Sequence, residues 1–228
     1  MEISWLELQA SDLRAQADFY SNILELPIKL SPERLEVQAG ETTLVFVQAG
    51  LEFNGAYHFA FNIPANQLPN AKAWVAKRVP LLSDENGKDD FDSTNWNSHS
   101  VYFKDAAGNV LEFIARRNLK NPVEGGFDSS HILNVSEIGL PSEDVIGLAD
   151  KLCATLGLSA FHQEPNESFT PVGDDNGLLI LPVKGRIWYP NSGVPAKELP
   201  IHVKGDVDSG EFEVRGVPYG VTNLTPAF

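Results

Sequence analysis

Apolar and polar residues alternate with period two along several short stretches of the chain. In Ser100–Lys104, Val101 and Phe103 alternate with Ser100, Tyr102 and Lys104; in Leu111–Ala115, Leu111, Phe113 and Ala115 alternate with Glu112 and Ile114. Asp105–Asn109 joins these strands as a tight turn, and Gly108 supplies its left-handed residue. Ile3–Leu8 reads as another strand, with Trp5 and Glu7 on one face and Leu6 and Leu8 on the other. Tyr57–Ile63 is a third, closed by Pro64. It has His58, Ala60 and Asn62 on one face and Phe59, Phe61 and Ile63 on the opposite one. The period changes over 67–78, where Leu68, Ala71, Trp74 and Val75 make the apolar stripe of a helix.

These patterns recur. Leu6–Asp12 followed by Leu24-Glu-Leu26 matches Ile138–Asp144 followed by Leu156-Gly-Leu158 at a constant offset. In each copy a strand runs into an aspartate, Asp12 or Asp144, placed to cap the amphipathic helix that follows. Three short strands are expected after each helix: near 28–30, 35–38 and 43–48 in the first copy, and near 159–162, 169–172 and 178–183 in the second. Residues 56–116 repeat the βαβββ order. A fourth, degenerate unit opens with Leu199–Lys204. The expected fold class is α+β, with repeated βαβββ units whose mixed sheets curl into a cup. The expected division is a first domain of two units over 1–116, a linker over 117–131 and a second domain over 132–228. The first domain's pocket is expected between its two units.

Composition adds little to the fold and more to the partners. The 228 residues carry a formal net charge of −14, which argues against nucleic acid and anionic membranes. A single cysteine, Cys153, excludes an internal disulfide and reads as an inert thiol. No basic leader precedes an apolar run and no apolar run reaches membrane length, so a cytoplasmic monomer or homodimer acting on a small molecule is expected. Phosphate-binding loops, nucleophile elbows and paired-cysteine metal motifs are missing from the sequence.

Candidate chemistry lies on the strands. Glu112 sits among Leu111, Phe113 and other apolar neighbours, where a carboxylate is costly to bury unless paired, hydrogen-bonded or metal-bound. A solvent-facing position on an edge strand is the other reading. Glu7, His58 and Glu112 together offer one histidine and two carboxylates, a donor set that suits a divalent metal. Trp5, Tyr102, Trp96 and His99 are the expected substrate-binding residues. The Arg186–Pro190 segment is expected to cap the core of the second half.

The strand, Ser11-Asp12-Leu13, the helix ending Phe19-Tyr20 and Leu24–Pro27 resemble the opening of a vicinal oxygen chelate protein. That superfamily includes glyoxalase I, extradiol dioxygenases, fosfomycin-resistance enzymes and bleomycin-binding proteins. His58-Phe-Ala-Phe is similar to its second metal-ligand strand, and Asp105–Glu112 to the strand bearing its glutamate ligand. The resemblance implies a metal-dependent lyase or dioxygenase-like enzyme, using Zn, Mn, Ni, Co or Fe on a substrate with two adjacent oxygens. His58, Glu112 and Glu7 would be its metal ligands, with Glu7 doubling as the catalytic base. The chain departs from the pattern at Trp5, which stands where the first-strand histidine ligand usually does. That departure leaves a metal-free binding protein of the bleomycin-resistance type as the alternative. Glu137 falls at the repeat position of Trp5 and His202 at that of His58. They read either as a second, decayed site or, more simply, as a surface glutamate and an unrelated histidine.

Overall fold

The computed structural model describes residues 1–224. Four units follow one another. The first has β1 (Glu2–Ala10), α1 (Leu13–Asp18), β2 (Ile28–Leu30), β3 (Arg34–Ala39) and β4 (Thr42–Gln48). The second has β5 (His58–Ile63), α2 (Leu68–Val75), β6 (Leu81–Leu82), β7 (Phe91–Ser93), β8 (Ser98–Lys104) and β9 (Val110–Arg116). The third has β10 (Asn134–Gly139), α3 (Val145–Leu156), β11 (Phe169–Asp174) and β12 (Gly177–Pro182). The fourth is a meander of β13 (His202–Val207), β14 (Gly210–Arg215) and β15 (Gly220–Asn223), with no helix among its described residues.

The helix starts follow from the two aspartates. Asp12 accepts from the backbone N–H groups of Arg14 and Ala15, both at 2.9 Å, and Asp144 accepts from that of Gly147 at 2.8 Å. Each helix lets the chain return to a parallel partner: β1 pairs parallel with β4, β5 with β9, and β10 with β12. The segment near 159–162 is not a strand, although Ala160 makes a single bridge to Val172.

Two mixed sheets result, ordered β15-β14-β13-β1-β4-β3-β2 and β11-β12-β10-β5-β9-β8-β6, with β7 on the side of β8. The expected division of the chain is corrected here. Units one and four share a sheet through the antiparallel pair β1–β13, and units two and three share the other through β10–β5. A boundary across 117–131 therefore separates two units of one sheet. The pocket expected between units one and two does not form, because their strands lie in different sheets. The main apolar core draws on both sheets, with Leu6, Leu8 and Phe46 from one and Phe59, Phe61, Phe113 and Ile138 from the other.

The β1–β13 junction depends on Gly205. A Cβ there would fall on the carbonyl oxygen of Glu2, inside van der Waals contact. Gly205→Ala should cost about 1–3 kcal/mol or more in urea unfolding. Gly126→Ala, whose Cβ would meet open space, should change little.

Candidate metal centre and aromatic cavity

The site lies on the face of the second sheet turned away from the main core. Its centre is β5, hydrogen-bonded to β10 on one side and β9 on the other. Ala60 on β5 pairs in register with Glu112 on β9 and with Glu137 on β10, so a small residue separates two carboxylates. His58, two residues along, projects from the same face.

Glu137 reaches this face because of a bulge. The register of β10 shifts between Val135 and Glu137, so Val135 pairs with Phe61 and Ile138 with Phe59. Both enter the core, while Glu137 turns to the site. The first sheet repeats the device. Its register shifts between Ile3 and Trp5, Trp5 pairs with Lys204, and Glu7 pairs with His202. The equivalent centre there holds Trp5, Lys204 and His202 in place of Glu137, Ala60 and His58.

His58 Nε2 lies 3.8 Å from Glu112 Oε2 and 3.9 Å from Glu137 Oε2. One ligand atom from each of the three residues lies within 4.8 Å of the others, and all three residues are buried. His58 Nδ1 stands 3.0 Å from the carbonyl oxygen of Val110. That contact fixes the proton on Nδ1 and leaves the Nε2 lone pair facing the carboxylates. The hydroxyls of Ser100 and Tyr102 stand beside Glu112 and favour its ionised form. Glu137 is held by Arg116, whose Nη2 donates to Oε1 and whose Nε donates to Asn62 Oδ1 at 3.2 Å.

Burial dominates the titration of these groups. It lowers His58 to about 4 against the opposing pull of the Val110 carbonyl, so the imidazole is neutral at pH 7. Burial, and then the charge of Glu137, push Glu112 up to about 8. Burial also raises Glu137, with Arg116 pulling the other way. Tyr102 is raised by burial first, then by both carboxylates, and keeps its phenolic proton.

The donors fit a divalent cation. Metal–ligand bonds of about 2.0–2.2 Å place cis ligand atoms roughly 3 Å apart, so the two histidine–carboxylate separations of 3.8–3.9 Å ask for less than an ångström of closure each, and the two carboxylates, within 4.8 Å, for at most about 2 Å. One imidazole and two carboxylates form a hard set suited to Mn, Fe, Co, Ni or Zn. The three residues open onto a cavity of about 360 Å³, walled by Phe91, Trp96, Tyr102, Phe169, Trp188 and Tyr189, with Arg186 also lining it. Trp188 packs on the His58 ring at 4.8 Å between centroids, and Tyr189 on Tyr102 at 5.5 Å.

The structure thus brings His58, Glu112, Tyr102 and Trp96 to one cavity. It does not bring Glu7 or Trp5 there. Glu7 lies on the first sheet, 3.8 Å from Arg34, and Trp5 lies under the same arginine. The expectation that Glu7 joins His58 and Glu112 is corrected on that ground: the carboxylate that converges on them is that of Glu137. His99 also falls outside the cavity lining. It alternates with Ser98 and Ser100, which line the cavity, and it lies 3.2 Å from Asp90. Glu137 and His202 do not form a site together, because they belong to different sheets; the His202 ring stands against the Glu213 carboxylate. The Arg186–Pro190 segment, expected only as a core cap, walls the cavity. Arg116 was readable by alternation, since Glu112, Ile114 and Arg116 share a strand face.

No protein-family model matches the sequence, and no curated protein matches it. Solved structures do match. A candidate dioxygenase from Bacillus subtilis subsp. subtilis str. 168 superposes with a TM-score of 0.61 at 18% identity, over 92% of this chain and 72% of its own. A lactoylglutathione lyase from Agrobacterium tumefaciens matches with a TM-score of 0.40 and 24% identity, over 49% of this chain and 91% of its own. A mutant of the fosfomycin resistance protein FosX from Listeria monocytogenes, complexed with Mn(II) and 1S,2S-dihydroxypropylphosphonic acid, matches with a TM-score of 0.39 and 16% identity. That match spans 50% of this chain and 87% of its own. The superposition on the Bacillus subtilis structure and the mixed βαβββ sheets show the glyoxalase/bleomycin resistance/dioxygenase-like fold.

Proposed function

We propose that the chain is a divalent-metal-dependent enzyme of the vicinal oxygen chelate type, acting on a small substrate with two adjacent oxygens. The observation that carries this reading is the convergence of His58 Nε2 with the Glu112 and Glu137 carboxylates at the wall of an aromatic cavity. His58, Glu112 and Glu137 would hold a divalent ion, and the chemistry gained would be Lewis acidity toward the substrate oxygens. The chain's own residues do the rest. Val110 orients His58, Arg116 orients Glu137, and the phenol of Tyr102 stands beside Glu112 as a proton donor. The aromatic walls exclude water and hold a planar or apolar substrate body. No helix of the described residues is long and apolar enough to cross a membrane.

Titration of chelator-treated protein with Mn(II), followed by the electron paramagnetic resonance of free ion, tests the reading. One equivalent should bind at micromolar concentration. The metal-free binding protein is the second reading, favoured by the fact that Arg116 already gives Glu137 a partner. Protein that takes up no metal would support it.

The pH dependence has a definite sign. With Glu112 near 8, the metal-free protein holds a proton there at pH 7, and binding expels it. Mn(II) affinity should therefore rise about tenfold per pH unit up to about pH 8. Above about pH 7.5, where His58 is largely neutral folded or unfolded, the raised Glu112 makes folding less favourable as pH climbs to about 8. The urea midpoint of chelated protein should fall over that window, and saturating Mn(II) should restore it.

A further inference from the structure

We infer that Arg116 makes a two-carboxylate centre workable, taking one oxygen of Glu137, presenting the other to His58 and cancelling the negative charge that the second glutamate brings. The inference rests on the reading of His58, Glu112 and Glu137 as a metal centre. Its observations are independent of any ion. Arg116 is fully buried, rare for an arginine unless its charge is answered. Its partners come from three other segments: Glu137 on β10, Asn62 on β5, and Asp175 on the turn after β11, whose Oδ1 lies 3.8 Å from Nη1. Asn62 Nδ2 donates to the backbone oxygen of Asp175 at 3.0 Å, tying that turn to the same strand. The rings of Trp96 and Phe161 each lie 5.7 Å from the guanidinium carbon and confine its plane. The fork binds Glu137 through Oε1 only, and Oε2 remains 3.9 Å from His58 Nε2.

The charges explain the need. Ligation requires a neutral imidazole and ionised carboxylates, so the three ligands and the guanidinium together would carry one net negative charge, with the Asp175 carboxylate lying beyond Arg116 at 3.8 Å from Nη1. A centre of two histidines and one glutamate carries that same charge without an arginine. Without Arg116, the two ionised carboxylates that ligation requires, flanking Ala60, would repel with no cation beside them, and Glu137 Oε1 would lose the partner that leaves Oε2 facing His58. Arg116 is thus a positioning residue, acting on the centre through Glu137.

The test is a double-substitution cycle read as Mn(II) affinity by paramagnetic resonance, with circular dichroism confirming the fold of each variant. In the native background, Arg116→Met should weaken Mn(II) binding by about 10- to 100-fold, as loss of an outer partner to a ligand does. In the Glu137→His background, Arg116 becomes a buried cation beside the metal with only distant Asp175 to answer it. There Arg116→Met should tighten binding, so the sign of its effect reverses. Arg116→Gln, which keeps a donor and drops the charge, should reverse in the same way and serves if the methionine variant does not fold. Weakening of similar size in both backgrounds, or no effect in either, overturns the role of Arg116 while leaving the metal centre standing. Failure of the unsubstituted protein to bind Mn(II) overturns the centre and this inference together.

Discussion

His58→Ala, Glu112→Gln and Glu137→Gln should each abolish stoichiometric Mn(II) binding, while Glu7→Gln and Trp5→His should leave it unchanged. The first three remove donor atoms that lie within 4.8 Å of one another at a buried point. Each loss should exceed the ~10–100-fold cost of removing a ligand's outer partner, because it takes away a direct bond. Glutamine keeps the volume and polar shape of glutamate, so the Glu112 and Glu137 variants separate lost charge from lost packing. The two controls follow from topology. Glu7 and Trp5 stand on β1 in the first sheet, whereas the donors stand on β5, β9 and β10 in the second. A histidine at position 5 would face Lys204 and the Arg34 guanidinium, not Glu112. Competition of Mn(II) against a fluorescent chelator measures all five. Tight binding by the Glu137 variant, or loss of binding in the Glu7 variant, would return the centre to the first sheet.

Phe113→Ala should produce the largest loss of stability among single core truncations near the site, about 3–5 kcal/mol. The ring is fully buried on the face of β9 opposite to Glu112. It lies 5.0 Å from Phe103, 5.6 Å from Phe127 and 6.1 Å from Phe61, so its removal opens a cavity among neighbours that cannot all close in. A fall of roughly 10 °C in Tm is expected for a chain of this length. Urea unfolding with an unchanged slope would place the effect in the native core. A change below about 1 kcal/mol would mean that the site's floor repacks freely, contrary to the density expected of such a core.

Much of the fold was legible because it is local. Asp12 and Asp144 announced two helix starts, since a capping carboxylate acts within three residues of itself. Alternation in Tyr57–Ile63 separated the core face of Phe59 and Phe61 from the face of His58, Ala60 and Asn62. The repeat offset matched Trp5 to Glu137; in the structure Trp5 pairs with Lys204 and Glu137 with Ala60, each next to a register shift in its own sheet. The strand and glutamate motifs pointed to the fold that the structure has.

The partnership of the units was not legible. Four units of similar pattern can pair as one with two or as one with four, because every first strand offers the same backbone donors and acceptors. What settles the pairing is long-range packing: β13 fits against β1 only with Gly205 facing the Glu2 carbonyl, and β10 fits against β5 only with a bulge at Val135–Glu137. A bulge inverts the alternation on which strand reading relies, so Glu137 passed for a surface residue. The sequence by itself determined the units, their caps and the two residues His58 and Glu112. The tertiary structure alone decided that Glu137 converges on them, that Glu7 stands on the other sheet, and that Arg116 is paired with Glu137. Pairing between strands far apart in the chain depends on contacts that no local pattern encodes.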